Sequence, residues 1–372
     1  MSASDGRGPL QVERRAQLLE ELQKQGTVRV SDLTERLGVA AVTIRRDIAQ
    51  MAAEGLVRRV HGGVTVILND EAGEEGAYAT TAAVGAGPRT IGMLVPSLDY
   101  YWPGVVRGAE EAARDLGHKV VLRGSSYESE DDRPQLERLV DGLGAEGLLI
   151  APRMDAPTAD ATLEWLAATG VPTVLVERTA TVGPHHAVLE SVSSDHALGA
   201  TMGVQHLLSL GHRKVGAVLS KGSPTSRHIL RGWRDALTEA GVAPADTVET
   251  LLPGLRSAEF DAALDEVLDR CLSTGTTALL VHADSEAMAL VQRCEERHLT
   301  VPGDLSVVAY DDEVAGLFSP PLTAVRPPRR SIGRAAVDLV VARFADPGRP
   351  THRVVISPSL RVRESTAPPR DA

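Results

Sequence analysis

The sequence predicts an α/β protein: two lobes of parallel sheet flanked by helices, preceded by a small helical head with a hairpin arm. Three observations carry this. From Ile91 onward, short aliphatic runs alternate with amphipathic helical stretches, the pattern of buried parallel strands joined by crossover helices. That region is about 275 residues long, large for one sheet, so two similar lobes with a cleft between them are expected. Ahead of it, helical periods broken by glycine end in Arg58-Arg59-Val60-His61-Gly62-Gly63, which reads as a basic hairpin.

Residues 10–25 form the first expected helix, with Leu18, Leu19 and Leu22 at helical spacing and Gly26 as its stop. Thr27–Val30 is short and β-prone. Ser31 suits the N-cap of a helix that reaches Leu37, and Gly38 ends it. After the tight turn Val39-Ala40-Ala41, a further helix runs from Val42 to about Glu54. Ile44, Ile48 and Met51 fall on its buried stripe, leaving Thr43, Arg46 and Gln50 on the opposite face. Residues 67–89, rich in Gly, Ala, Glu and Thr without an apolar period, read as a flexible linker. The strands expected beyond it are Ile91–Val95, Lys119–Leu122, Gly147–Ala151, Val171–Val176, Val215–Leu219, Ala278–Val281 and Leu305–Ala309. Helices such as Val105–Leu116 and Ala197–Leu210 lie between them. No internal sequence repeat is visible.

Composition narrows the class. Of 372 residues, 43% are hydrophobic and 24% charged, ordinary for a soluble globular chain. No apolar run approaches the ~18 residues of a membrane span, and MSASDGRGPLQVERR lacks the apolar core of a secretory signal. A cytoplasmic protein is expected. Cys271 and Cys294 fit neither a metal-ligand spacing nor a disulfide framework, so core thiols are expected, with no metal and no cofactor. The net charge of −11 argues against a nucleic-acid partner, yet residues 1–68 hold ten Lys/Arg against eight Asp/Glu. Salt screens charge beyond about 10 Å, so local charge sets the attraction to phosphate.

A helix, a turn and a second helix that exposes Thr43 and Arg46 can lay the second helix in a major groove, where Arg forks onto guanine. Arg58, Arg59 and His61 on the hairpin can reach neighbouring phosphates or the minor groove. Small heads of this shape also serve as protein docking modules. The strings G-T-V-x-V-S-D-L (26–33), T-I-R-R-D (43–47) and G-L-V-R-R-V-H-G-G (55–63) resemble the DeoR-type winged helix-turn-helix across residues 10–66. The resemblance implies a recognition helix at Val42–Glu54, with Thr43, Arg45 and Arg46 facing double-stranded operator DNA. Ala40 stands where that family usually has a capping Ser, a loss that costs about 1 kcal/mol.

Open α/β sheets bind ligands beyond the carboxyl ends of their strands. After the first strand come Asp99, Tyr100, Tyr101 and Trp102, a ring cluster in a chain only 3% aromatic, suited to stacking on a sugar. Glu177 and Arg178, Arg227, His282-Ala283-Asp284, and Asp311-Asp312 follow later strands. Arg and carboxylates that converge on one cleft suit a polyol. Some of these acids are equally read as helix caps, Asp195 above all and Asp312 on even terms.

Residues 90–366 resemble the LacI/GalR regulators and, by extension, the periplasmic sugar-binding proteins. The motifs include I-G-M-L-V-P-S-L-D, S-D-H-A-L-G-A, H-L-L-S-L-G-H-R-K-V, V-P-G-D-L-S-V-V-A-Y-D-D, S-P-P-L-T-A-V-R-P-P and L-R-V-R-E-S-T. The resemblance implies two lobes joined by three crossovers, a ligand cleft and a homodimer. It implies stacking by Tyr101 and Trp102, and ligand contacts from Arg227 and Asp284. Ala283 and Asp99 stand where Asn is usual or common.

The expected organisation is a DNA-binding head at 1–66, a linker at 67–89, a two-lobed sensor at 90–366 and a disordered tail at 367–372. No helix suited to wedging into a minor groove is visible in residues 66–89. The expected function is a DNA-binding transcriptional repressor controlled by a small ligand, a sugar or related polyol; a sugar phosphate or nucleoside is the alternative. Expected ligand contacts are Asp99, Tyr101, Trp102, Arg178, Arg227, Asp284 and Asp312, and expected DNA contacts are Thr43, Arg45, Arg46, Gln50, Arg58, Arg59 and His61. An enzyme is the rival reading, against which no nucleophile elbow, P-loop or dinucleotide fingerprint is found.

Overall fold

The computed structural model describes residues 87–98, 101–125 and 130–370. In the head it describes Leu18, 27–29, 33–34, Val39, 43–44, 47–48, Met51, 57–60 and 63–66. The chain divides into two compact units, Met1–Thr80 and Thr81–Ala372.

In the first unit, β1 (Thr27–Arg29), β2 (Val57–Val60) and β3 (Gly63–Val66) form an antiparallel sheet in the order β1-β3-β2. β2 and β3 are the arms of the expected hairpin, with Val60 opposite Gly63. Ile44, Ile48 and Met51 are helical and buried, so the stripe read from their spacing does face inward. Leu18 and Leu33 are buried too.

The second unit begins with β4 (Thr90–Val95), α1 (Tyr101–Asp115), β5 (Lys119–Gly124), α2 (Arg133–Glu137), β6 (Gly147–Ile150) and α3 (Ala159–Ala168). β7 (Thr173–Val176), the short antiparallel pair β8 (Thr181–Val182) and β9 (Ala187–Val188), and β10 (Glu190–Ser194) follow. The chain then crosses at Asp195 into α4 (His196–Ser209), β11 (Val215–Ser220), α5 (Ser226–Glu239), β12 (Glu249–Leu252) and α6 (Phe260–Thr274). β13 (Ala278–His282), α7 (Asp284–Glu296), β14 (Ser306–Tyr310) and β15 (Thr323–Arg326) complete that run. It returns through Pro327-Pro328 to α8 (Arg329–Ala345) and β16 (Arg353–Ile356), and crosses a third time to β17 (Ser359–Arg361).

The strands sort into two six-stranded sheets, β5-β4-β6-β7-β10-β16 and β12-β11-β13-β14-β15-β17. All neighbours run parallel except β17, which pairs antiparallel with β15. Both sheets have the same order, with the first strand of the lobe lying between the second and the third. Two lobes and three crossovers are therefore present, as the resemblance implied.

Each lobe contains one helix pair that meets backbone to backbone. A Cβ on Gly333 of α8 would lie 2.0 Å from the carbonyl oxygen of Val105 in α1. A Cβ on Gly232 of α5 would lie 2.0 Å from that of Ala197 in α4. Asp195 caps α4, its carboxylate accepting the Leu198 N–H at 2.9 Å, which bears out the capping reading. Cys271 and Cys294 are buried free thiols, as expected, and burial pushes each up to about 12.

The expected disordered tail is corrected as far as Arg370. The carbonyl of Ala367 accepts from His212 Nε2 at 2.9 Å and from the Ser306 hydroxyl at 3.1 Å. Arg370 is ion-paired with Asp304. Residues 371–372 lie outside the described residues, as does most of the expected linker. Arg89, at that linker's end, holds the His118–Lys119 turn through hydrogen bonds from its N–H and to its carbonyl.

Candidate ligand-binding cleft

In a doubly wound sheet the crevice opens where strand order reverses, because the flanking loops there diverge to opposite faces. In the first lobe that point lies between β4 and β6, and in the second between β11 and β13. The loops leaving β4, β6 and β7 supply Pro96, Arg153 to Asp155, and Arg178. The loop leaving β11 supplies Lys221 to Pro224, and Arg227 follows in the first turn of α5. Together they line a cavity of about 220 Å³ between the lobes. A second cavity of about 270 Å³ shares Arg178, Pro224 and Arg227 and continues toward Ser194, His196 and His228.

Behind the second cavity lies a buried polar network. Glu177 Oε1 accepts from the Tyr101 hydroxyl and from Ser194 Oγ at 2.7 Å, and Oε2 accepts from Ser194 N–H at 3.0 Å. His196 Nε2 lies 3.2 Å from Glu177 Oε2, and its Nδ1 lies 3.2 Å from the Tyr310 hydroxyl. Burial alone would raise the Glu177 carboxyl. The bonds from His196, Tyr101 and Ser194 outweigh it and hold the group down at about 2. Burial and the neighbouring Glu177 charge push the Tyr101 phenol well up. On the second lobe, burial raises Asp311 to about 6, against the lowering effect of His196 and Arg329. Burial lowers His282 to about 4.

The residues expected to meet ligand divide. Arg178 and Arg227 line both cavities. Arg178 is buried, donating to the carbonyls of Glu177 at 2.7 Å and Pro152 at 3.3 Å. Arg227 donates to His228 Nε2 at 3.2 Å. Three of the expected residues are engaged within the protein itself. Trp102 is only 2% exposed and packs in the apolar core of the first lobe, with the Arg178 guanidinium 6.0 Å from its ring. Asp284 takes the backbone N–H groups of Asp312, Glu313, Val314 and Ala315 at 2.6–3.0 Å, which makes it a clamp on that loop. Asp312 is ion-paired with Arg326 at 2.6 Å and Arg363 at 2.8 Å. Tyr101 is half-buried, bonded to Glu177 through its hydroxyl and lying under Arg329, whose guanidinium is 5.9 Å from the ring. Asp99 lies outside the described residues.

The sequence reading passed over Arg153, Asp155 and Lys221. The signal was present, since Arg153 and Lys221 each stand just past a strand that was recognised.

Of the residues expected at DNA, Thr43 is half-buried, and Arg58 and Arg59 sit in β2 opposite Thr65 and Val64. Arg45, Arg46, Gln50 and His61 lie outside the described residues. Among the described residues no helix is long and apolar enough to cross a membrane, and no group of three or more His, Cys, Asp and Glu could hold a metal ion.

A DeoR-like helix-turn-helix domain matches residues 14–69, and a periplasmic binding protein-like domain matches residues 204–366. The HTH-type transcriptional repressor PurR of Photobacterium profundum is 25% identical over 350 residues, covering 90% of this chain and 98% of that protein. The ribose operon repressor of Escherichia coli is 27% identical over 283 residues, covering 74% of this chain and 82% of that one. A dimeric Lac repressor with an 11-residue C-terminal deletion superposes with a TM-score of 0.61 at 26% identity, over 76% of this chain and 100% of that one.

Proposed function

We infer that this chain, in which a DeoR-like helix-turn-helix domain is joined to a periplasmic binding protein-like domain, is a DNA-binding transcriptional repressor whose grip on its operator is set by a small ligand held between the lobes. One observation carries the reading. A helix-turn-helix match at 14–69 shares the chain with a cleft at the switch points of both lobes.

On this reading Thr43, Arg45, Arg46 and Gln50 face the major groove, and Arg58, Arg59 and His61 meet phosphates from the hairpin. Arg178 and Arg227 grip the ligand. A sugar or related polyol is favoured because one relative is a ribose operon repressor and because Ser194, Thr225 and His228 line the second cavity. A homodimer is supported by the dimeric Lac repressor likeness, and action in the cytoplasm by the relatives being DNA-binding repressors. The relatives are regulators, which supports a role in binding without catalysis or cofactor. The ligand draws the lobes together, rotates the dimer partners and alters the spacing of the two heads. Half-sites fall at helical-turn multiples, so a small change in spacing lowers affinity.

Fluorescence anisotropy of the full chain on DNA from around its own gene tests this. The expected result is binding far above that of scrambled DNA at 150 mM salt (about physiological), weakened steeply by added salt. Equal affinity for target and scrambled DNA would overturn it.

A further inference from the structure

We propose that Arg329 clasps the two lobes at a set angle, so that this side chain, more than the three crossovers, decides how wide the cleft stands. Its effect on DNA follows from the ligand-controlled reading above, whereas the clasp is independent of it.

Arg329 opens α8 in the first lobe, directly after the Pro327-Pro328 crossover. Its side chain reaches into the second. There Nη1 donates to the Asp311 carbonyl, Nη2 donates to the Asp312 carbonyl at 3.4 Å, and Nε lies 2.7 Å from Glu313 Oε1. Only 13% of the Arg329 side chain is exposed, so solvent and salt weaken these contacts less than they weaken a surface pair. A planar fork of donors suits two neighbouring carbonyls, which a single ammonium cannot span.

Both ends of the clasp are anchored. In the first lobe the stem lies across Gly104 of α1, where an added Cβ would meet Arg329 Cβ, Nε and Cδ at 3.0–3.4 Å. The guanidinium then passes over the Tyr101 ring, 5.9 Å from its centroid, and the Tyr101 hydroxyl is bonded to Glu177. In the second lobe the Asp311 N–H donates to the Val325 carbonyl at 2.9 Å, and Asp312 is ion-paired with Arg326 and Arg363. A pull on residues 311 and 312 is therefore a pull on the sheet and not on a free loop.

Position gives the contact its leverage. Crossover segments bend at little cost, because rotation about a few bonds near the axis absorbs a hinge motion. The crossovers leave from or lead to β10, β15, β16 and β17, which lie together at one edge of each sheet. Residues 311–313 follow β14, one strand inward from β15, and Tyr101 follows β4, three strands inward from β10. A contact set away from the hinge axis on the cleft side fixes the angle that the crossovers leave free.

Double electron–electron resonance on the full chain tests the clasp, with nitroxides on Glu130→Cys and Arg256→Cys. Both positions are exposed, and they follow β5 and β12, the strands at the sheet edges farthest from the crossovers. Cys271 and Cys294 are buried, with thiols pushed up to about 12, so they take no label. Labelled chain is diluted with unlabelled chain so that a single pair is read. Arg329→Gln should lengthen or broaden the interlobe distance by about 2 Å or more with circular dichroism unchanged, and Glu313→Gln should do so by a smaller, resolved amount. An unchanged distance in folded Arg329→Gln overturns the proposal. If that variant does not fold, an unchanged distance in Glu313→Gln overturns it instead. The same variants, titrated on DNA from around the chain's own gene, should differ from wild type in affinity by about fivefold or more. A changed distance with unchanged DNA affinity supports the clasp while removing the lobe angle from the control of DNA.

Discussion

Glu177 and His196 meet across the first crossover, carboxylate Oε2 against ring Nε2 at 3.2 Å. Glu177 follows β7 in the first lobe, and His196 opens α4 in the second. Tyr101 on one side and Tyr310 on the other extend the line, so the hinge is bridged by buried polar groups as well as by chain. A buried acceptor that loses its donors is costly, and so is a donor left facing another donor.

Glu177→Gln keeps the shape but turns one acceptor oxygen into a donor against Tyr101, Ser194 or His196. The expected loss is about 2–4 kcal/mol at neutral pH, read by urea denaturation. Because the wild-type carboxyl is held at about 2, below its unfolded value of 4.5, its contribution is present above pH 4.5 and fades as pH falls toward 2. The gap between wild type and variant should therefore close on acidification. A gap constant with pH would mean that the charge of Glu177 is not what stabilises the hinge.

Asp311 acts in the opposite direction. Its carboxyl is raised to about 6 from 3.8, so the unfolded chain gives up this proton first as pH rises. Stability is full below pH 3.8 and falls through the window up to 6. Asp311→Asn removes the buried charge while keeping a residue tolerant of the left-handed φ of 102°. The variant should gain about 1–3 kcal/mol at pH 7 and none at pH 4. Equal stability of the two proteins at pH 7 would count against a buried charge at this position.

Much of this architecture was legible in the sequence, and what was missed has physical reasons. Strands with continuous aliphatic runs, such as Gly147–Ile150, announced themselves. β10, Glu-Ser-Val-Ser-Ser, did not, because its buried positions are filled by polar groups that find partners on other elements, Ser194 on Glu177 and Glu190 on Arg343. The common strand order of the two lobes leaves no sequence repeat, since it is maintained by backbone pairing with different side chains. At the cleft, Arg178 and Arg227 were found because strand ends position them. The burial of Trp102 was not legible, because sequence gives the neighbourhood of a ring and not the direction it faces. The partners of Asp284 and Asp312 were not legible, because an acid beside a cleft looks the same whether it faces a ligand, a row of N–H groups or a guanidinium.

Asp284→Asn tests that distinction. Its carboxylate takes four backbone N–H groups from residues 312–315, and an amide cannot accept all four without turning its own N–H groups on some of them. The expected cost is about 2–3 kcal/mol. Ligand affinity, measured by calorimetry below the melting range, should be unchanged. A loss of affinity with no loss of stability would return Asp284 to the cleft.

The close helix pairs give the last prediction, which concerns how the lobes share stability. Gly333→Ala drives a methyl into the Val105 carbonyl of the first lobe, and Gly232→Ala does the same to Ala197 in the second, each at 2.0 Å before relaxation. Backbone cannot yield as a side-chain tip can, so each should cost about 2–3 kcal/mol or more. Gly142→Ala is the control, for its added methyl meets nothing within 4 Å. Three crossovers and the Glu177–His196 bridge bind the lobes, so either strained lobe should bring down the other. Circular dichroism in urea should then show each variant moving one shared transition to lower concentration, with Gly142→Ala unmoved or slightly raised. If Gly333→Ala and Gly232→Ala each split the curve and shift a different half, the lobes fold independently. The hinge network would then be a contact between two finished bodies and no part of a common core.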